Sequence, residues 1–274
     1  MTSRARSNEG KFRRRLTSVA LVAVLTTAIS GCKTTQSTEP AGSLAMASAR
    51  SDADWRSLAA EWGERHRTTP NDPVVAINYA QALRGLSQRS QAAAVLEQAS
   101  IRHPKNLELL GAYGRALADV GNYQQALDVL NRAHTPERPD WRILSVQGAV
   151  FDQMGRHEEA QRYYATALRI MPDEPSVLSN LGLSYALSKD LVQAEATLRR
   201  AAARPRVDAR VRQNLALVVG LQGRFAEAEA IARADLPPEE AAANVAYLQQ
   251  MLLQQRAVQK PAQPKPPVTS GSRS

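Results

Sequence analysis

Three columns of residues recur every 34 positions through the middle of this chain, and together they leave few folds open. The first column holds small residues: Ala80, Gly114, Gly148, Gly182 and Ala216. The second holds only alanine, at Ala92, Ala126, Ala160, Ala194 and Ala228. The third is large and apolar: Leu83, Leu117, Phe151, Tyr185 and Val219. An alanine column alone means little in an alanine-rich chain. Two small columns in step with a large one indicate stacked helical hairpins.

Helical spacing explains the columns. In the third unit Leu144, Gln147, Gly148 and Phe151 lie three and four apart and share one helical face, and Ala160, Tyr164, Ala167 and Leu168 do the same on the next helix. The small residues let the two helices approach, and Phe151 fills the space beside the contact. Gly121, Gly155 and Gly223 mark the turns inside the hairpins, where positive φ costs glycine little. Lys189 holds that place in the fourth unit, which predicts a weaker turn there. Pro104 and Pro172 end second helices. One hairpin cannot bury its apolar face alone, whereas a stack makes a continuous core. The expectation is an all-α solenoid over residues 52–256, with about five hairpins near 73–106, 107–140, 141–174, 175–208 and 209–236. Capping helices are expected at Asp54–Arg67 and over 238–256, the latter amphipathic.

These residues resemble the tetratricopeptide repeat (TPR) family, and the unit Trp141–Glu174 matches it best through Leu144, Gly148, Phe151, Gly155, Ala160, Tyr164, Ala167 and Pro172. The fifth unit departs at Ala232 and Asp235, where a large and a small residue are usual. The resemblance implies that first helices line a concave binding face. On that face, the first three units would present Asn78, Gln81, Arg84, Arg115, Asp119, Arg142, Ser145 and Asp152. The last two would present an apolar strip of Leu183, Leu187, Leu217 and Leu221, bordered by Asn180, Gln213 and Asn214. Such a strip can hold a partner's helix or extended segment, with the amides meeting its backbone. The alternative is that the last helix covers it through Val245, Leu248 and Leu252. The clamp that some TPR proteins use for chaperone C-termini is not matched, since Ile77 and Gln81, or Ser179 and Leu183, stand where it needs lysine and asparagine.

The first 31 residues read as an address rather than as fold. Arg4, Arg6, Lys11, Arg13, Arg14 and Arg15 precede an apolar run from Leu16 to Ile29, shorter than the roughly 20 residues that span a bilayer. Ile29, Ser30, Gly31 and Cys32 then resemble the bacterial lipobox, with Cys32, the single cysteine of the chain, as the lipidated residue. At ~0.8 kcal/mol per buried methylene, two acyl chains already anchor a protein stably. Lys33, rather than aspartate, follows the cysteine, and the resemblance therefore implies a lipid anchor in the outer membrane, facing the periplasm of a Gram-negative cell. Residues 32–51 read as a flexible tether, and residues 257–274, with Pro261, Pro264, Pro266 and Pro267, as a disordered proline-rich tail.

Charge and chemistry narrow the function further. The formal charge is +9, but the first 31 residues hold five of that, and Lys260, Lys265 and Arg273 hold three of the remaining four. The folded part is nearly neutral, and nucleic acid is not an expected partner. His66, His103, His134 and His157 fall at helix ends and turns and are expected on the solvated surface, not as metal ligands. No phosphate loop, nucleophile elbow or paired-histidine helix occurs. An enzyme is not expected, nor a metal or other cofactor. The expected partners are proteins.

One further stretch, Asn214 to Phe225 followed by Asp235 to Leu248 with its Leu236-Pro237-Pro238-Glu239 start, resembles the TadD-type lipoproteins of tight-adherence (Tad/Flp) pilus assembly. That resemblance implies a scaffold supporting localisation or assembly of the pilus secretin. A generic periplasmic adaptor docking cell-wall hydrolases or proteases is the alternative. The anchor has a direct test. Cys32→Ser should leave an uncleaved or soluble precursor, and normal sedimentation of the variant with outer membrane would refute lipidation at this residue.

Overall fold

The structure, a computed structural model, describes residues 51–205 and 207–259. The lipobox at 29–32, the tether before Ser51 and the tail from Lys260 lie outside the described residues. Among the described residues twelve helices follow one another: α1 (Asp52–Thr68), α2 (Pro73–Gly85), α3 (Arg89–Arg102), α4 (Leu107–Asp119), α5 (Tyr123–Leu130), α6 (Trp141–Gln153), α7 (His157–Ile170), α8 (Pro175–Leu187), α9 (Leu191–Ala202), α10 (Ala209–Leu221), α11 (Phe225–Ala232) and α12 (Pro238–Gln259). From α2 to α11 they pair into five antiparallel hairpins, each packed on the next.

The starts of the first helices follow the 34-residue period as well. Asp72, Asn106, Asp140 and Asp208 each accept a hydrogen bond from a backbone N–H of the first helical turn, which satisfies a donor the helix cannot. Glu174 holds the same place without such a bond, and Pro175 starts that helix instead, needing no donor partner.

The turns inside the hairpins are five copies of one device. Ser87, Gly121, Gly155, Lys189 and Gly223 all have positive φ, between 60° and 84°. The next residue then donates its N–H back to the third-column residue: Gln88 to Leu83, Asn122 to Leu117, Arg156 to Phe151, Asp190 to Tyr185 and Arg224 to Val219, at 2.9–3.3 Å. This is the Schellman geometry, and it closes each first helix. Lys189, like Ser87, therefore takes the left-handed conformation that glycine takes in the other three turns, and its turn keeps the same bond. The expected weakness is absent from the geometry and can reside only in the conformational energy of the lysine.

Packing inside each hairpin rests on the two small columns. The five column alanines from Ala92 to Ala228 are fully buried. A Cβ added to Gly114 would lie 2.5 Å from Leu130, at Gly148 2.7 Å from Tyr164, and at Gly182 2.6 Å from Leu198. Leu96, Leu130, Tyr164 and Leu198 thus form a fourth 34-residue column, buried against the small residue of the partner helix. In the fifth hairpin Ala216 faces Ala232, and the lost volume is made up by Ile231 of α11, Leu236 of the following link and Ala241 of α12. The sequence departure at Ala232 is where the last helix docks.

Both ends are capped. Trp55 of α1 lies where a Cβ on Gly85 would be, at 2.2 Å, and Ser51 with Asp54 makes a reciprocal capping box that starts α1 two residues before the expected Asp54. At the other end α12 seats Leu248 over Gly220, whose added Cβ would lie 2.5 Å away, and buries Ala241. Its expected amphipathic character is incomplete, because Tyr247 and Leu253 stand exposed.

Two glycines of one hairpin separate these effects. Gly148→Leu should destabilise the array by several kcal/mol, because overpacking forces Tyr164 and its helix aside. Gly155→Ala meets nothing within 4 Å, so it should cost only about 1 kcal/mol, the backbone term alone. Equal losses in thermal unfolding would mean that close packing at Gly148 is misplaced.

Candidate partner-binding face

Stacking lays α2, α4, α6, α8 and α10 side by side, and polar side chains bridge them at almost the repeat spacing. Arg84 ion-pairs with Asp119, Asn180 Nδ2 donates to Ser145 Oγ at 3.3 Å, and Asn214 Nδ2 donates to Ser179 Oγ at 3.0 Å. Several residues expected to face a partner are thereby engaged within the array. Arg115 differs. It is half-buried with no ion pair among the described residues, and burial together with the neighbouring Arg84 and Arg142 lowers its pKa against the pull of Asp119 and Asp140.

Asp152, also expected on the open face, is a buried junction instead, its side chain only 8% exposed. Its carboxylate accepts from Ser184 Oγ at 2.7 Å and from the Tyr164 hydroxyl at 3.0 Å, and lies 2.8 Å from His157 Nδ1. Burial raises its pKa while these hydrogen bonds pull the other way. One carboxylate thus ties together α6, α7 and α8.

The histidines are corrected likewise, since all four are half-buried rather than solvated. His66 packs on the Tyr79 ring with centroids 5.5 Å apart, and His103 Nε2 lies 2.6 Å from the Asn71 carbonyl. The Nδ1 atoms of His66 and His134 are shielded from solvent without a partner. Among the described residues no group of His, Cys, Asp and Glu is placed to hold a metal.

The apolar strip stands where its spacing puts it. Leu183 and Leu187 on α8 repeat as Leu217 and Leu221 on α10, all four half-buried, with Gln213 exposed beside them. None belongs to the clusters of side chains that build the core. The last helix docks elsewhere, through Ala241 against Ala216 and Ala232, Val245 against the shared core of hairpins four and five, and Leu248 against Gly220. Leu252 lines a shallow recess with Gly223 and Phe225.

Models of the tetratricopeptide repeat match residues 83–145 and 153–218, and a second such model matches 209–234, together more than half of the chain. The chain belongs to the tetratricopeptide repeat family. Among curated relatives, it is 26% identical over 125 residues to the BBSome complex member BBS4 of Bos taurus, covering 46% of this chain and 24% of that one. It is 29% identical over 104 residues to the uncharacterized protein y4yS of Sinorhizobium fredii, covering 38% and 57%. The matches thus span about a quarter and somewhat over half of these relatives. Among solved structures the fold resembles PilW, described as a widely conserved type IV pilus biogenesis factor. The TM-score is 0.60 at 19% identity, covering 70% of this chain and 91% of PilW.

The opposite side of the TPR array, formed by second helices, carries a charge network. Glu195 on α9 meets Arg199 at 2.6 Å and Arg224 at 2.8 Å, and accepts from Gln222 at 2.7 Å. Glu227 of α11 closes the set with the same two arginines. Burial pushes the Glu195 pKa up, but the hydrogen bonds from Arg199, Gln222 and Arg224 outweigh it and hold the group at about 2, against an ordinary 4.5. The folded state therefore favours the ionised form, a stabilisation complete above about pH 4.5 and lost as pH falls toward 2. Glu195→Gln should lower stability at pH 7 and flatten the acid limb of a stability–pH profile between those values. An unchanged limb would show that the network does not couple hairpins four and five.

Proposed function

We propose that this TPR array is the periplasmic scaffold of an outer-membrane lipoprotein that assists tight-adherence pilus assembly. In this reading it holds a segment of the secretin, or of another assembly component, against its first-helix face. The observation that carries the reading is the leucine strip. Four half-buried leucines in two repeated pairs lie outside the core, beside serines and amides, while the terminal helix spends its own buried side chains on the end of the stack.

Each leucine fully covered by a partner is worth ~1.5–3 kcal/mol. Two or three such anchors convert a weak encounter into a micromolar contact. A repeated pair at 34-residue spacing suits an extended or helical segment crossing α8 and α10. The lipobox resemblance at Ile29–Cys32 supplies the membrane side of the reading. The described fold of PilW as a pilus biogenesis factor's fold is consistent with it, without assigning the partner.

Aspartate substitutions at Leu187 and Leu217 test the face. They should cut recovery of the secretin in crosslinking pulldowns from intact cells by tenfold or more, with helicity and melting temperature unchanged. If α12 covers the strip instead, the same changes should lower the melting temperature, as should deletion from Pro238 onward. Recovery of cell-wall hydrolases or proteases in place of pilus components would favour the adaptor role. A double variant that folds as the parent does and still assembles pili would overturn the assignment of this face.

A further inference from the structure

Helix α12 closes the stack with one face and leaves the opposite face bare. Ala241 and Leu248 are buried and Val245 is half-buried, at helical spacing, and this side meets α10 and α11. Ala243, Ala246, Gln250 and Leu253 lie three and four residues apart on the far side, and all four are exposed. Leu253 is 58% exposed, and Tyr247, at the margin of this face, is 61% exposed. A helix that ends a solenoid needs a polar outer face to stay in solution. From Ala241 to Gln255, however, α12 carries no charged residue. Its polar groups there are the amides of Asn244, Gln249, Gln250, Gln254 and Gln255 and the Tyr247 hydroxyl.

That composition suits a second copy of the same chain. A two-fold contact sets a surface against itself, so any charge near the axis would meet its like. Here there is none, and an amide both donates and accepts, so it can pair with another amide. The sequence also complements itself when it is reversed about position 248. Antiparallel pairing at that register sets Leu253 of one copy on Ala243 of the other, twice, and Ala246 against Gln250. Leucine on alanine is the same fit of large on small that holds each hairpin together. At the ends, Glu239 and Glu240 of one copy fall beside position 256 of the other, an arginine. Parallel pairing would instead stack glutamate on glutamate.

We propose that the outer face of α12 is a self-association surface, on which two copies of this chain pair antiparallel about a two-fold axis beside position 248. The contact lies away from the leucine strip. A pair carries two such strips in one particle, which raises avidity for a partner that presents its segment more than once.

The test reads both association and register. Cys32 is the single cysteine, so a Cys32→Ser background leaves an introduced cysteine as the only thiol. Ala243→Cys and Leu253→Cys are made separately in the full chain, in detergent; both positions are exposed, and the fold should tolerate them. In the antiparallel pair, positions 243 and 253 face each other. Each lies ~15 Å along the axis from its own copy, too far for a disulfide. On mild oxidation the mixture should form covalent dimers at least tenfold faster than either variant alone. In sedimentation the parent should show a monomer–dimer equilibrium. Leu253→Glu should weaken it tenfold or more at an unchanged melting temperature, and Val192→Glu on the second-helix side should leave it intact. Equal dimer yields from the single variants and the mixture, a monomer at every concentration, or association indifferent to Leu253→Glu would overturn the proposal.

Discussion

Every hairpin depends on one close contact, a small residue on the first helix against a buried side chain sixteen residues later on the second. Gly114 on Leu130, Gly148 on Tyr164 and Gly182 on Leu198 leave no room for a Cβ. The alanine column then lets the second helix return the approach. Because a side chain at those glycines would collide, the distance between the helices is set by sterics rather than by propensity, and with it the spacing at which the next hairpin can stack. The Schellman turns fix the other end of each first helix, and the period of 34 follows from the two together.

From that frame, the array builds a firm surface. The junction at Asp152 joins three helices through one buried carboxylate, and the Asn180–Ser145 and Asn214–Ser179 bonds bridge successive first helices. On the other side Glu195 and Glu227 share Arg199 and Arg224 between hairpins four and five. Exposed ion pairs contribute little individually, but a shared set with a well-shielded Glu195 resists rearrangement more than isolated pairs do. A face held this way presents Leu183, Leu187, Leu217 and Leu221 in fixed positions. Little ordering cost then remains for a partner that docks on them.

Much of this was legible in the sequence because repetition averages out local ambiguity. The hairpins, their boundaries and the glycine turns followed from columns of residues, and the column of capping residues from Asp72 to Asp208 was equally open to inspection at the same spacing. What escaped was whatever a single position decides through its neighbours. Lys189 looked like a defect, yet the Asp190–Tyr185 bond holds its turn in the common geometry. Asp152 read as a surface acid because its partners lie on two other helices, His157 and Tyr164 on α7 and Ser184 on α8, and His157 read as solvated for the same reason. The shortened α5 had one signal, Pro136, which stands where Arg102 and Ile170 end α3 and α7, but the regular 34-residue spacing on either side concealed it. For the leucine strip, sequence placed the side chains; that α12 docks through Ala241, Val245 and Leu248 needed coordinates.

The central claim is that function resides on the first-helix face of the stack. Photo-crosslinking in intact cells tests it most directly, with a photoreactive amino acid placed at Leu187 or Leu221 and, as the comparison, at Val192, which is 75% exposed on the second-helix side. The account predicts adducts with an outer-membrane pilus component from positions 187 and 221 and none from 192. Adducts from Val192 alone, or equal yields from both sides, would contradict it.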